Sequence, residues 1–228
     1  MKALVLLSGG LDSATCLSIA VNKFGQSDVA AVSIFYGQRH ERELRSAKEL
    51  ADYYGVNRYD LDLSPVFAQS TCPLMKRSTK RIEHSSYAEQ VKFGRASTYV
   101  PFRNGLMLSA AASFAGSLFE DDLIEIYIGA HADDAAGNAY ADCREDFVRT
   151  LDAAIRIGTY EKIRLVAPFV EKTKADIVKI GLELGTPYEL TWSCYEGGEK
   201  PCGQCATCLD RKRAFEINSV VDPAEVFL

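Results

Sequence analysis

The sequence lacks the long uncharged apolar runs that a membrane-spanning helix requires. No stretch of its 228 residues approaches the roughly 18 consecutive apolar residues of such a helix. The apolar run near the N-terminus ends after five residues, at Ser8, and is too short for the hydrophobic region of a signal peptide. An excess of positive charge is also missing, because the formal net charge is -5. We therefore expect a cytoplasmic protein that binds no membrane and forms no stable nucleic-acid complex.

Cysteine occurs in an odd number and an uneven distribution, which argues against a set of disulfides. Four of the seven cysteines lie within fifteen residues, at Cys194, Cys202, Cys205 and Cys208. In a chain without an export signal, such a cluster indicates a metal site. Four thiolates fill the tetrahedral shell of zinc and leave no position for water, so we expect one structural Zn²⁺ per chain. An iron–sulfur cluster on the same cysteines is the alternative.

Short apolar runs alternate with helical stripes through most of the chain. Patterns typical of strands lie at residues 4–7, 29–35, 59–63, 123–129 and 163–166. Strands that alternate with helices predict right-handed crossovers. The predicted fold class is therefore α/β, a doubly wound, mostly parallel five-stranded sheet with a C-terminal zinc-binding segment. We assign residues 1–190 to one α/β domain, and residues 191–228 to the zinc-binding segment and a C-terminal helix packed on that domain.

Residues 64–98 form an irregular insertion in this pattern, with no convincing period of either kind. The insertion carries six basic residues against two glutamates. Irregular segments of this length in compact domains are usually functional or disordered. Two interpretations stay open: a solvated surface excursion, and a lid or partner surface that prefers anions.

The segment Ser8-Gly9-Gly10-Leu11-Asp12-Ser13, called the 8–13 loop below, lies between the first predicted strand and the first predicted helix. Open α/β sheets bind ligands at the carboxyl ends of their strands, where free backbone N–H groups and the helix dipole favour an anion. The two glycines allow close approach of the backbone, and the serines add hydroxyl donors. Asp12 is better suited to a bound Mg²⁺ than to a phosphate group. The segment matches neither the Walker A motif nor the dinucleotide-binding fingerprint.

The 8–13 loop resembles that of the PP-loop ATP pyrophosphatases, whose fold is of the adenine nucleotide alpha hydrolase type. The resemblance implies an enzyme that uses ATP with Mg²⁺, cleaves it between the α- and β-phosphates and leaves AMP on its substrate. It implies ATP binding by Ser8, Gly9, Gly10, Leu11, Asp12 and Ser13. It also implies a basic element late in the domain, for which Lys174 is the best candidate, with a solvated lysine as the alternative. Asp12, Ser13 and Lys174 are then the expected catalytic residues.

Together with the cysteine cluster, further polar segments make the chain similar to the 7-cyano-7-deazaguanine synthases over residues 8–208. Besides the 8–13 loop and Lys174, the shared motifs are residues 36–40, 100–104, 142–143 and 193–208. The resemblance implies conversion of 7-carboxy-7-deazaguanine and ammonia into 7-cyano-7-deazaguanine through an adenylated acid and an adenylated amide, with release of AMP and pyrophosphate. It implies a homodimer, and weaker substrate contacts from His40, Arg103, Tyr140 and Asp142.

Several features of these segments have a second interpretation. Asp142 is also suited to capping a helix, and packing is favoured over reactivity for Cys143. The sequence departs from the family pattern at two positions, since Ala14 and Ala141 stand where we expect Thr and Pro. The second departure would loosen the substrate pocket.

Three other functions remain as alternatives. A related PP-loop enzyme would stop at the amide, or transfer the activated deazaguanine to another amine. A tRNA-modifying PP-loop enzyme would share the ATP chemistry but normally has an RNA-binding extension or a basic surface, and here only the insertion at residues 64–98 is basic. A non-enzymatic zinc knuckle that binds nucleic acid leaves the 8–13 loop unexplained, and only Trp192 and Tyr195 near the cysteines are suited to base stacking.

Overall fold

Five parallel strands form one sheet at the centre of the computed structural model, which describes residues 1–39, 41–90, 92, 95–136 and 139–226. The strands are β1 (Lys2–Leu6), β2 (Val29–Phe35), β3 (Asn57–Asp62), β4 (Ile124–Tyr127) and β5 (Ile163–Val166). Their order in the sheet is β3-β2-β1-β4-β5, and every neighbouring pair is parallel. The predicted five-stranded sheet is confirmed. The order reverses between β1 and β4, which is where open α/β sheets bind their ligands.

Helices cover both faces of the sheet. Their bounds are α1 (Leu11–Phe24), α2 (Arg42–Tyr54), α3 (Tyr87–Gln90), α4 (Arg103–Leu118), α5 (Ala132–Ala135), α6 (Glu145–Gly158), α7 (Lys174–Glu183), α8 (Ala206–Ile217) and α9 (Pro223–Val226). One core cluster joins α1, α2, α7 and α8 to the sheet, and a second joins α4 and α6 to its other face. The doubly wound arrangement predicted from the alternating pattern is therefore confirmed. Within the described residues, no helix combines the length and the apolar character needed to cross a membrane.

A third apolar cluster joins the 64–98 insertion to the cysteine segment. Phe67, Leu74 and Ile82 of the insertion are each at most 7% exposed and lie in the same cluster as Trp192 and Cys205. The insertion thus buries apolar side chains against the residues that precede and form the cysteine cluster. The C-terminal helix α8 contributes Ala214 and Phe215 to the main core.

Glu125, at 1% exposure in the central strand β4, is a buried charge with three donors. Lys23 donates to its two carboxylate oxygens at 2.9 and 2.8 Å, Tyr127 donates at 2.7 Å, and Arg164 forms a further ion pair with it. Burial by itself would raise the pKa of Glu125, but these hydrogen bonds outweigh it and lower the pKa from 4.5 to about 2. The ionised carboxylate therefore joins α1, β4 and β5.

This network predicts a pH-dependent stability. We expect Glu125→Gln to lower the free energy of unfolding by about 2 kcal/mol at pH 7, because charge-assisted hydrogen bonds are lost. Since the folded pKa is depressed, the stabilisation is complete above the unfolded pKa of 4.5 and declines as pH falls towards 2. Urea denaturation between pH 7 and pH 3.5 should show the wild type and the variant converging at low pH. The exposed Glu120→Gln is the control, and a difference that stays constant with pH would contradict the assignment.

Candidate active site and metal centre

A cleft of about 230 Å³ opens at the carboxyl edge of the sheet, beside the point where the strand order reverses. Its walls come from the 8–13 loop, the segments after β2 and β4, the starts of α2, α4 and α7, and the chain around the cysteines. The lining includes Ser8, Asp12, Tyr36, Glu43, Arg103 and Lys174. Residues distant in sequence thus meet in one cleft.

The 8–13 loop has a backbone that only glycine permits. Gly9 has a φ of +92°, and a Cβ atom on it would lie 2.1 Å from the backbone oxygen of Glu43. Gly10 then precedes α1, and its N–H donates to the Ser8 hydroxyl at 3.3 Å. The Ser13 hydroxyl lies 3.1 Å from that of Ser8. The side chain of Leu11 is buried in the core, so Leu11 offers the cleft its backbone only.

Asp12 and Lys174 form a largely buried ion pair at the head of α1. Lys174 is 8% exposed, and its Nζ lies 3.2 Å from Oδ2 of Asp12. Burial lowers the pKa of Lys174, but the negative charges of Asp12, Asp134 and Asp210 outweigh it and hold the pKa above its ordinary value. Lys174 is therefore a permanent cation. Asp133 holds the backbone in place, because its carboxylate accepts the N–H of Lys174 at 2.7 Å.

His131 lies behind this pair and is fully buried. Its Nδ1 accepts the backbone N–H of Asp134 at 3.4 Å, which assigns the proton of a neutral ring to Nε2. Nε2 lies 3.3 Å from the carboxylate of Asp134 and 3.8 Å from that of Asp12. Oδ1 of Asp12 is also buried and, within the described residues, accepts no hydrogen bond. A buried carboxylate oxygen without a donor suits a hard cation such as Mg²⁺.

Arg103 enters the cleft from the first residue of α4. Its guanidinium lies 5.3 Å from the ring centre of Tyr36 and donates to the Tyr36 hydroxyl at 3.3 Å. The preceding residue, Phe102, has a φ of +53°, which turns the chain sharply into the helix. Asp142 fixes this turn, because its carboxylate accepts the N–H of Asn104 at 2.9 Å.

The structure does not bring every predicted contact into the cleft. Asp142 caps α4 from behind, and the Tyr140 hydroxyl contacts that of Thr98 at 2.5 Å, so within the described residues neither side chain lines the cleft. His40 lies outside the described residues. Cys143 borders the cleft, but burial raises the pKa of its thiol well above the ordinary value, so the thiol is protonated. The departure at Ala141 is exposed and does not line the cleft either.

Two groups of lining residues received no role in the sequence analysis. Glu43 belongs to the first turn of α2, and its position beside the cleft depends on the packing of α2 against Gly9. Trp192, Ser193, Tyr195 and Thr207 line the cleft from the cysteine segment. The sequence signals for the second group are the shared motif at residues 193–208 and the suitability of Trp192 and Tyr195 for base stacking. Asp210 of α8, which acts on Lys174, carried no signal.

The four clustered cysteines form a compact set of sulfur ligands. The Sγ atoms of Cys194, Cys202, Cys205 and Cys208 all lie within 4.8 Å of one another, so the set could hold a metal ion. Backbone N–H groups donate to two of the sulfurs, that of Cys194 at 3.3 Å and that of Cys202 at 3.3 and 3.4 Å. Hydrogen bonds from Cys194 and Cys208 hold the pKa of the Cys205 thiol below its ordinary value, which favours the thiolate.

The cysteine segment is tied directly to the 8–13 loop. The N–H of Trp192 donates to the backbone oxygen of Gly9 at 2.9 Å, and the Thr207 hydroxyl donates to the backbone oxygen of Ser193 at 2.6 Å. Metal binding at the cysteines would therefore also order one wall of the cleft.

Known proteins resemble this chain along almost its whole length. Residues 2–219 match the sequence model of a family described as queuosine biosynthesis protein QueC. The chain is 41% identical over 224 residues to the 7-cyano-7-deazaguanine synthase of Archaeoglobus fulgidus, covering 98% of this chain and 89% of that protein. It is 43% identical over 230 residues to the 7-cyano-7-deazaguanine synthase of Thermoplasma acidophilum, covering 98% and 91%.

A solved structure of an NMN synthetase from Francisella tularensis has a related fold. The TM-score is 0.52 at 13% identity, and the match covers 96% of this chain and 78% of that chain. At this identity the likeness extends to the fold alone.

The sulfur cluster predicts one metal ion per chain with a structural role. We expect Cys205→Ser to lose the metal and to lower the melting temperature, because the remaining thiols cannot complete the coordination shell. Trp192 is the single tryptophan of the chain and is 5% exposed in the same cluster, so its emission should shift to the red. Elemental analysis and fluorescence measure both effects. Cys16→Ala, in the core of α1, should keep the metal, and a fully stable, metal-free Cys205→Ser protein would refute the structural role.

Proposed function

The chain belongs to the QueC family, and we propose that it catalyses the reaction of the 7-cyano-7-deazaguanine synthases. In that reaction, ATP drives the conversion of 7-carboxy-7-deazaguanine and ammonia into 7-cyano-7-deazaguanine, with release of AMP and pyrophosphate. The observation that carries the proposal is the meeting of the 8–13 loop, Lys174 and Arg103 in one cleft. An anion-binding loop, a permanent cation and a second, partly buried cation suit a reaction between two anions.

The chemistry explains why ATP is needed. A carboxylate is a poor electrophile, because its leaving group would be oxide. Transfer of AMP to the acid gives an acyl adenylate with a good leaving group, which ammonia attacks to form the amide. A second transfer, to the amide oxygen, permits loss of AMP and two protons and leaves the nitrile. Both transfers take place at the same loop.

The residues divide this work as follows. The backbone of residues 9–11 and the hydroxyls of Ser8 and Ser13 bind the ATP phosphates, and Lys174 stabilises the charge that develops on them. Asp12 would hold Mg²⁺ through Oδ1, which accepts no hydrogen bond within the described residues, and it positions Lys174 through Oδ2. Mg²⁺ neutralises phosphate charge when bound.

Arg103 binds the carboxylate of the deazaguanine. The prediction that His40, Tyr140 and Asp142 also contact the base remains a prediction. Asp142 affects the cleft indirectly, because its carboxylate accepts the N–H of Asn104 at the start of α4.

We assign zinc to the four cysteines. With Zn–S bonds of about 2.3 Å, tetrahedral geometry separates the sulfurs by about 3.8 Å. Separations within 4.8 Å suit one central ion better than an iron–sulfur cluster, in which the four cysteines are divided among two or four irons. A four-thiolate site has no open position, so the zinc stabilises the fold and the cleft wall rather than the reaction.

The division into residues 1–190 and 191–228, a homodimer and a cytoplasmic location complete the proposal. Free thiols at all seven cysteines suit a reducing compartment. The homodimer rests on the family resemblance.

Asp12 provides the first test of the proposal. We expect Asp12→Asn to lower AMP formation at least about 100-fold, because both the cation site and the position of Lys174 are lost. Chromatography of AMP after addition of the acid, ammonia and ATP measures the effect, with an unchanged melting temperature as the check on folding. Asp52→Asn on the exposed face of α2 is the control. Normal AMP formation by a folded Asp12→Asn variant would contradict the role given to Asp12.

The stoichiometry provides the second test. One loop for both transfers predicts two AMP and two pyrophosphates for each nitrile made from the acid. The amide supplied alone should need one ATP and no ammonia. AMP counted by chromatography against nitrile counted by mass spectrometry decides this. An amide that accumulates would favour the amide-forming alternative, and AMP formed only with tRNA would favour a tRNA-modifying enzyme.

A further inference from the structure

Glu43 is held at the edge of the cleft by the same contact that shapes the 8–13 loop. Its backbone oxygen lies where a Cβ atom on Gly9 would be, so the backbone at Glu43 is in direct contact with the 8–13 loop. Glu43 lines the cleft, as Ser8, Asp12 and Arg103 do. Because α2 is anchored at both Gly9 and its buried face, the position of Glu43 relative to the loop is well defined.

Glu43 differs from the other acidic residues of the cleft in having no fixed partner. Asp12 pairs with Lys174, and Asp134 lies against His131. Within the described residues, by contrast, no group donates a hydrogen bond to the Glu43 carboxylate, and Arg103 acts on it without forming an ion pair. Burial raises the pKa of Glu43 from 4.5 to about 7, although the positive charge of Arg103 opposes the rise. Such a group exchanges protons readily near neutral pH.

The proposed reaction needs a group of this kind twice. When ammonia adds to the acyl adenylate, its nitrogen becomes positively charged and must lose one proton before AMP leaves and the amide forms. In the second half, the amide oxygen displaces pyrophosphate from ATP. The same nitrogen then loses two protons as the carbon–oxygen bond breaks, the electron pair leaves with AMP, and the nitrile forms.

We propose that the Glu43 carboxylate is the general base that accepts protons from the substrate nitrogen in both half-reactions and releases them to solvent. This inference rests on the proposed function, and it adds a catalytic residue to it. Arg103 lines the same cleft and its charge acts on Glu43. In this proposal Arg103 binds the anionic end of the substrate, which brings the reacting carbon and its nitrogen towards Glu43.

The other titratable groups around the cleft are less suited to this task. They are Asp12 of α1, Tyr36 after β2, Arg103 of α4, Asp134 of α5, Cys143, Lys174 of α7 and Tyr195 of the cysteine segment. The Asp12 carboxylate pairs with Lys174, and the Asp134 carboxylate lies 3.3 Å from Nε2 of His131. Lys174 and Arg103 are permanent cations. Burial raises the pKa of both Tyr36 and Cys143 above their ordinary values.

Glu43→Gln tests the proposal, because it keeps the shape of the side chain and removes the base. Glu49→Gln, on the exposed face of the same helix, is the matched control. Three rates are measured for each protein: pyrophosphate release from the acid in a single turnover without ammonia, amide formation after ammonia is added, and nitrile formation from the amide. We expect Glu43→Gln to leave the first rate within about twofold of the wild type. The second and third should fall about 100-fold or more, the range for loss of a general base.

The pH dependence separates a base from a binding group. For the wild type, kcat/KM for the amide should rise through an apparent pKa near 7, the value that Glu43 has in the free enzyme. Glu43→Gln should lose this rise. Its melting temperature at pH 8 should be no lower than that of the wild type, because an ionised carboxylate with a raised pKa costs stability above that pKa.

Each contrary outcome has a distinct meaning. If Glu43→Gln forms amide and nitrile at the wild-type rate with the same pH profile, Glu43 is not the base. The proposal also fails if the variant has a higher KM for the deazaguanine while kcat and the pH profile are unchanged. Glu43 would then bind the deazaguanine ring and not accept its protons. Loss of pyrophosphate release in a folded variant would make Glu43 part of the ATP site instead. If the wild type itself converts neither acid nor amide, the proposed function fails and this inference fails with it.

Discussion

The buried charge of Lys174 is the constraint on which the arrangement of this site depends. An ammonium group at 8% exposure is stable only if negative groups surround it. They come from separate parts of the fold: Asp12 from α1, Asp134 from α5 and Asp210 from α8. Satisfying one lysine therefore brings together the 8–13 loop, the segment after β4 and the C-terminal helix. The same charges keep the lysine cationic, which phosphate chemistry requires.

The lack of a side chain at Gly9 is the second feature that determines how the site is arranged. Because this residue has no Cβ, α2 packs directly against the 8–13 loop, and the Gly9 oxygen is free to accept the N–H of Trp192. One small residue thus joins the 8–13 loop to Glu43 on one side and to the cysteine segment on the other. A metal ion held by the four cysteines would act on the cleft through this connection.

The electrostatics of the cleft distinguish Glu43 from the other carboxylates. The Asp12 carboxylate pairs with Lys174, the Asp142 carboxylate accepts an N–H at the start of α4, and the Asp134 carboxylate lies 3.3 Å from Nε2 of His131. Glu43 has no such partner within the described residues, and burial moves its pKa to about 7. A reaction in which a nitrogen loses three protons in total needs both kinds of group, and the structure supplies them from different helices.

The sequence by itself determined the features that depend on local pattern. The alternation of apolar runs and helical stripes predicted the five-stranded, doubly wound sheet, and the motifs of the 8–13 loop and the cysteines identified the family. Both signals are local, because a turn, a helix start or a ligand spacing depends on residues that lie close together in the sequence. Lys174 was inferred from the resemblance rather than from its surroundings.

Only the tertiary structure decided which side chains meet. It joined the Asp142 carboxylate to the N–H of Asn104 and the Tyr140 hydroxyl to that of Thr98, while their contacts with the substrate stay predictions. It brought Asp210 to the site, which no motif predicts, and it placed Glu43, which follows the segment at residues 36–40, against Gly9. Burial and the charges of distant residues set the properties of both groups, and neither quantity exists until the chain has folded.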